Sequence, residues 1–136
     1  MVQEFKHMLP RDAKLWQRFL FHHQDYFERF DYDVRVGDGV DIGPGFPDFA
    51  VTQAKLLTQK RIDAVGYHGT EIWVIEAKPD AGLSALGQLL GYRVLWNNQY
   101  PQQPVTYLAI VTDFLGPDEI TFYEHYGIKT YELPPE

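Results

Sequence analysis

Three residues in the stretch RIDAVGYHGTEIWVIEAKPD (61–80) carry side chains that could do chemistry together: Asp63, Glu76 and Lys78. The stretch is otherwise rich in Ile, Val and Trp, and it reads as two strands joined at His68-Gly69-Thr70. Side chains alternate between the two faces of a strand, so Glu76 and Lys78 point one way while Trp73, Ile75 and Ala77 point the other. A tight turn around Gly69 brings Asp63 beside Glu76 on the same face. Like charges facing each other across strands repel, and a hard cation relieves that repulsion. Mg²⁺, or Mn²⁺ in its place, takes oxygen ligands at about 2.0–2.1 Å and is commonly held by one or two carboxylates, waters and substrate phosphate. Such an ion acidifies a bound water and neutralises charge growing on a phosphate in transit. Lys78 would project into the same site, where an ammonium orients an attacking water or stabilises a pentavalent phosphorane.

The elements around this hairpin have to position it. After Pro10, Leu15, Phe19, His22 or His23, Tyr26 and Phe30 recur near helical spacing, with Asp12 as an early cap or first-turn acid. YDVRVGD then reads as a short strand, DGVDIGPGFPDF as a Gly/Pro-rich loop, and AVTQAKLL as either a helical turn or a strand. Beyond the break at Pro79-Asp80-Ala81-Gly82, the spacing predicts a helix from Leu83 to about Asn97. Its stripe of Leu83, Leu86, Leu90 and Val94 is expected to cover the sheet. Gly87 and Gly91 lie beside that stripe, where close backbone approach to the sheet would offset the cost of glycine in a helix. Gln88 and Tyr92 share a face on the far side from Leu86 and Leu90, placed to hydrogen-bond phosphate or base at the edge of the site. VTYLAIVT (105–112) reads as a buried strand of a parallel sheet, PDEITFYEHY as a short helix ending at Gly127, and IKTYEL as a last strand.

Asp63, twelve intervening residues, Glu76-Ala77-Lys78, then Gln88-Leu89-Leu90-Gly91-Tyr92 resembles the PD-(D/E)XK nuclease superfamily, and the Q-x-x-x-Y helix is similar to its RecB-type branch. The resemblance spans most of the chain. It implies an α/β (α+β) fold with a restriction-endonuclease-like αβββαβ core, a central mixed sheet flanked by helices. It also implies Mg²⁺- or Mn²⁺-dependent hydrolysis of phosphodiester bonds in DNA, as in a repair, recombination or phage enzyme. On that resemblance Asp63 and Glu76 are metal ligands, the Ala77 backbone carbonyl is a further ligand, Lys78 is the catalytic lysine, and Gln88 and Tyr92 position substrate. Ile62 stands where the name-giving proline often does. The family often has an acidic residue on its first helix, and Asp12, Asp25 and Glu28 are all candidates. Pro47-Asp48 spells the literal motif, but its distance from Glu76 would require a long excursion between ligands, so Asp63 is preferred.

Composition bounds the alternatives. A chain of 136 residues with 45% hydrophobic content is expected to form one domain, residues 1–136. The absence of cysteine excludes disulfides, thiolate metal sites and a cysteine nucleophile. The five histidines show no ligand spacing. There is no long apolar span and no apolar run at the start, so the expectation is a soluble, cytoplasmic protein with no membrane partner.

The net charge of −7 argues against coating nucleic acid by charge alone. The acidity belongs to the C-terminal part, however, which leaves Lys6, Arg11, Lys14, Arg18, Lys55, Lys60 and Arg61 as candidates for a local basic surface. Two function classes follow: a metal-dependent deoxyribonuclease, or a catalytically silent module of the same fold that binds nucleic acid or a protein partner. The intact acidic pair favours the first. The net acidity favours the second, or an enzyme that acts as a homodimer or with a partner protein.

Overall fold

The computed structural model describes residues 5–134. The first helix, α1, spans Pro10–His23. Proline suits its first position because that N–H has no partner within the helix, and Asp12 lies in the positive first turn. Leu15, Trp16 and Phe19 form its buried face. The helix stops at His23 and a 3₁₀ turn, Gln24–Tyr26, follows. Tyr26 and Phe30 therefore lie beyond the helix that their spacing suggested. Phe30 belongs to the first strand, where its ring and that of Phe27 pack over Gly66; a Cβ at Gly66 would stand 2.7 Å from the Phe27 ring.

Five strands follow: β1 Arg29–Val36, β2 Lys60–His68, β3 Glu71–Ala77, β4 Tyr107–Thr112 and β5 Lys129–Glu132. They form one sheet in the order β1-β2-β3-β4-β5. The first three are antiparallel, and β4 and β5 add in parallel. The hairpin between β2 and β3 turns at Gly69, whose φ of 57° supplies the left-handed conformation at the first central position of a two-residue turn. Between β1 and β2 the chain runs through the Gly/Pro-rich loop into α2, Asp48–Thr58, so the ambiguous AVTQAKLL segment is helical. The crossover from β3 to β4 is α3, Leu83–Gln99, and that from β4 to β5 is α4, Pro117–His125. The result is the expected mixed sheet flanked by helices.

Both faces of the sheet are covered, which is why β3 and β4 are nearly continuous apolar runs. On one face, α1 packs Leu15, Trp16 and Phe19 over Ala64, Ile75, Ala109 and Val111. On the other, α3 and α4 cover Val36, Ile62, Val74 and Ile110.

The face that α3 uses differs from the leucine stripe. Ala85, Leu86, Leu89, Tyr92 and Trp96 are buried, Leu90 is half-buried, and Leu83 and Val94 are 62% and 58% exposed. The buried face is rotated by roughly a third of a turn from the stripe, at about 100° per residue. Apolar residues surround most of the helix, so periodicity alone does not select a face; the large rings of Tyr92 and Trp96 fill the space over the sheet. Gly87 and Gly91 are on the exposed side, where an added Cβ would meet nothing within 4 Å. They mediate no close approach to the sheet. No helix among the described residues is long and apolar enough to cross a membrane.

Candidate metal and nuclease site

The site forms where two ladders fail at the same residue. Pairing of β2 with β3 runs from His68↔Glu71 to Ala64↔Ile75 and ends one step before Asp63 and Glu76. Pairing of β1 with β2 passes from Tyr32↔Ala64 to Val34↔Ile62 and omits Asp33 and Asp63. The strands splay apart at Asp63, whose side chain bridges the gap: Oδ2 accepts a hydrogen bond from the Ala77 amide at 3.1 Å. The Asp63 carbonyl, left free by β1, accepts one from His7 Nε2 at 3.0 Å.

Glu76 is only 6% exposed. Its Oε1 is a buried atom with no hydrogen-bond partner among the described residues. Burial pushes its pKa up, the adjacent Asp63 carboxylate pushes it further through charge and a side-chain hydrogen bond, and Lys78 opposes both. A buried carboxylate with an orphaned oxygen beside a second carboxylate is costly unless a cation joins it. The donors here are hard oxygens, which fit Mg²⁺ or Mn²⁺ rather than a softer metal. No group of three His, Asp or Glu side chains gathers closely enough to hold an ion among the described residues. Any ion at this point would draw on the two carboxylates, backbone oxygen, water and ligand.

Lys78 follows on the exposed continuation of β3. Its amide donates to the Val111 carbonyl at 2.9 Å, which keeps this segment alongside β4 after the regular strand has ended. Thr112 Oγ1 then donates to the Pro79 carbonyl at 2.9 Å. Lys78 lines a cavity of about 460 Å³ together with Leu9, Pro10, Arg11, Asp12 and Asp80.

Of the three acids that the sequence left open, the structure brings Asp12 to this cleft. Its pKa is raised by burial and by Asp63, and lowered by Lys78 and Arg11. Asp25 lies in the 3₁₀ turn, and Glu28 accepts from the Gly69 amide at the opposite end of the hairpin.

Tyr92 is buried, and its hydroxyl pKa is raised by burial and then by the charges of Glu76 and Asp63. It belongs to the core, so the reading of Tyr92 as a residue outside the core is corrected. Gln88 is exposed one turn earlier, and its side chain hydrogen-bonds to no described residue. Tyr123, which the sequence did not single out, is a second buried phenol that senses Glu76.

The basic candidates divide. Arg61 forms a two-pronged ion pair with Asp33, both bonds at 2.6 Å, and so leaves Asp63 to the site. Arg18 is bound by Asp113 and by the Leu133 and Pro134 carbonyls. Arg11 opens onto the cleft, and Lys14, three residues along α1, shares its side of the helix.

A scan of the sequence against family models finds no match, and no curated protein matches it. Solved structures do. The chain is similar to EndoMS in a complex with double-stranded DNA, with a TM-score of 0.54 and 16% identity over 99% of this chain and 50% of that one. It is similar to a repair endonuclease from Pyrococcus abyssi, with a TM-score of 0.53 and 16% identity over 99% and 50%. EndoMS in its apo form gives a TM-score of 0.52 and 16% identity over 100% and 48%. The chain thus spans about half the length of each of these proteins, and at this identity the likeness establishes a shared fold.

Proposed function

We propose that this chain is a metal-dependent nuclease that hydrolyses phosphodiester bonds in DNA. The observation that carries the reading is Glu76, a buried carboxylate with an unpartnered oxygen against Asp63, two residues before a lysine that opens onto a cleft. A binding module has no use for an arrangement that costs stability and repels phosphate.

Asp63, Glu76 and the Ala77 carbonyl would hold Mg²⁺ or Mn²⁺. Bound there, the ion supplies Lewis acidity toward phosphate and lowers the pKa of water. The residues of the chain do the rest. Lys78 offers its ammonium to the charge that builds on the phosphate in the transition state, and it orients the attacking water. Tyr92, fixed by packing and close enough to be influenced by the charges of both carboxylates, would steady the scissile group, while Gln88 on the exposed turn would contact the strand. Arg11, Lys14 and Lys78 offer cations to the DNA backbone around the cleft. Asp12 lines the same cleft as Lys78, and its charge favours the ammonium there.

Asp63, Glu76-Ala77-Lys78 and Gln88/Tyr92 in this order support placement in the PD-(D/E)XK superfamily and its RecB-type branch. Likeness of fold to a DNA-bound EndoMS and to a repair endonuclease favours DNA and a role in repair; recombination or phage DNA processing is supported only by the resemblance of the motifs.

A second reading has its own support. α2 buries none of its residues while exposing Phe49 and Leu57, which suits a module that docks on a protein partner or a second copy and lacks activity alone. A cleavage assay on linear, circular, single-stranded and branched DNA with Mg²⁺ or Mn²⁺, with Glu76→Gln as control, separates the two. Cleavage that disappears in the control supports the nuclease. Substrates left intact by both the wild type and the variant, alongside retained binding, replace it with the silent module.

A further inference from the structure

Asp33 is the only non-glycine residue with a positive φ, 53°, among the described residues, and it sits in the middle of a strand. A strand residue in this conformation is strained, although aspartate tolerates it better than most. The strain coincides with a change of face in two strands at once. In β1, Phe30 and Tyr32 pack on the α1 side, whereas Val34 and Val36 pack on the α3 side. In β2, Ala64 packs on the α1 side and Ile62 on the α3 side. Regular alternation would keep each of these pairs on one side. The switch falls at Asp33 and Asp63, the two facing residues that the ladder omits.

Three contacts hold the switch. Arg61 Nε and Nη2 donate to Asp33 Oδ1 and Oδ2, each at 2.6 Å, a fork that fixes both groups in one plane. His7 reaches in from the segment before α1 to occupy the Asp63 carbonyl. The Asp63 carboxylate is turned the other way, onto the Ala77 amide.

Resting on the metal-site reading above, we infer that Asp33 is a positioning residue for Asp63. With Arg61 and His7 it bends β2 so that the Asp63 carboxylate meets Glu76, and it occupies the guanidinium that would otherwise neutralise that carboxylate. Two effects are therefore separable: the backbone bend, which needs a residue tolerant of positive φ, and the capture of Arg61, which needs a carboxylate.

The test uses the full chain and three variants. Asp33→Gly keeps the bend and loses the capture, Asp33→Val opposes the bend, and Asp33→Gly combined with Arg61→Gln removes the freed cation. The first readout, taken without metal, is hydrogen exchange at the Ala77 amide, which reports whether Asp63 is seated. The second is Mn²⁺ affinity by calorimetry. The third is the division of any rate loss between kcat and KM.

Asp33→Val is expected to speed Ala77 exchange and to weaken Mn²⁺ about 10–100-fold, the usual effect of losing a residue that orients a ligand. Asp33→Gly should keep Ala77 protected yet bind Mn²⁺ weakly, and the double variant should regain affinity, with losses of rate falling on kcat. Ala77 protection and Mn²⁺ affinity unchanged in Asp33→Val would overturn the inference. If Asp33→Val fails to fold, equal Mn²⁺ affinity in the wild type, Asp33→Gly and the double variant overturns it instead. Absence of Mn²⁺ binding in the wild type counts against the metal site itself, and slow Ala77 exchange lost only in the valine variant would still support the bend.

Discussion

Asp63 Oδ2 and the Ala77 amide are joined by a 3.1 Å hydrogen bond at the point where the β2–β3 ladder has ended. A side chain, rather than the backbone, closes the open end of the hairpin. The same carboxylate that would bind metal is thereby held against Glu76. This arrangement and the packing around it have measurable consequences.

Metal-free protein should carry a pH-dependent penalty at Glu76. Its folded-state pKa is raised above the ordinary 4.5, mainly by burial and then by Asp63. The folded state thus holds the proton more tightly than the unfolded chain. The stability linked to this group is complete below the unfolded pKa and is lost as pH rises toward the folded value. Glu76→Gln should melt at a higher temperature than the wild type in EDTA at pH 8, and the difference should vanish near pH 4. A constant difference across that range in thermal melts would contradict the burial argument.

Metal binding should run the other way with pH. An ion has to displace the proton from Glu76, so Mn²⁺ should raise the melting temperature more at pH 8 than at pH 5.5. Asp63→Asn should nearly abolish the effect, and calorimetry showing undiminished affinity in that variant would move the site elsewhere.

Lys78 is exposed and lines the cleft. Lys78→Ala is expected to lower the cleavage rate by about 10²-fold or more, as for loss of a transition-state electrostatic contact, with metal affinity nearly intact. Single-turnover kinetics beside Mn²⁺ titration checks both halves.

Tyr92 and Gln88 should part company in stability. Tyr92 is packed in the core while Gln88 is exposed. Tyr92→Ala should cost about 3–5 kcal/mol in denaturant unfolding, by analogy with other large aromatic truncations. Gln88→Ala should stay within about 0.5 kcal/mol. Tyr92→Phe keeps the ring, so a loss of activity in that variant isolates the hydroxyl.

Gly87→Ala and Gly91→Ala should each stabilise the protein by up to about 1 kcal/mol, because both positions are helical and an added Cβ meets nothing. Destabilisation by either in urea titrations would mean that the exposed side of α3 is occupied by something under the conditions used.

How much of the fold and the site is legible in the sequence depends on whether the deciding forces are local. The hairpin is legible, because Gly69 fixes a two-residue turn whose register sets Asp63 level with Glu76, although the ladder itself ends at Ala64↔Ile75. The apolar run of β4 likewise declares burial on both faces. The chemistry proposed for the site follows from residue types alone, since two carboxylates and a lysine at that spacing have few uses.

What the tertiary structure decided was every question of which side meets what. α3 is apolar around most of its surface, so only the space left over the sheet could select Tyr92 and Trp96 for the core and turn Leu83 and Val94 outward. Asp12 joined the cleft because α1 lies across the sheet with its first turn beside Lys78, a placement made by Leu15, Trp16 and Phe19 rather than by anything near the acid. The bend at Asp33 is invisible in the sequence for the same reason. A positive φ inside a strand is unfavourable by local rules, and here it coincides with the Arg61 fork onto Asp33 and the His7 contact to the Asp63 carbonyl, made between residues distant in sequence. Short-range periodicity specifies elements and their turns; the orientation of one element on another is set by summed packing over residues far apart in the chain, which no local window contains.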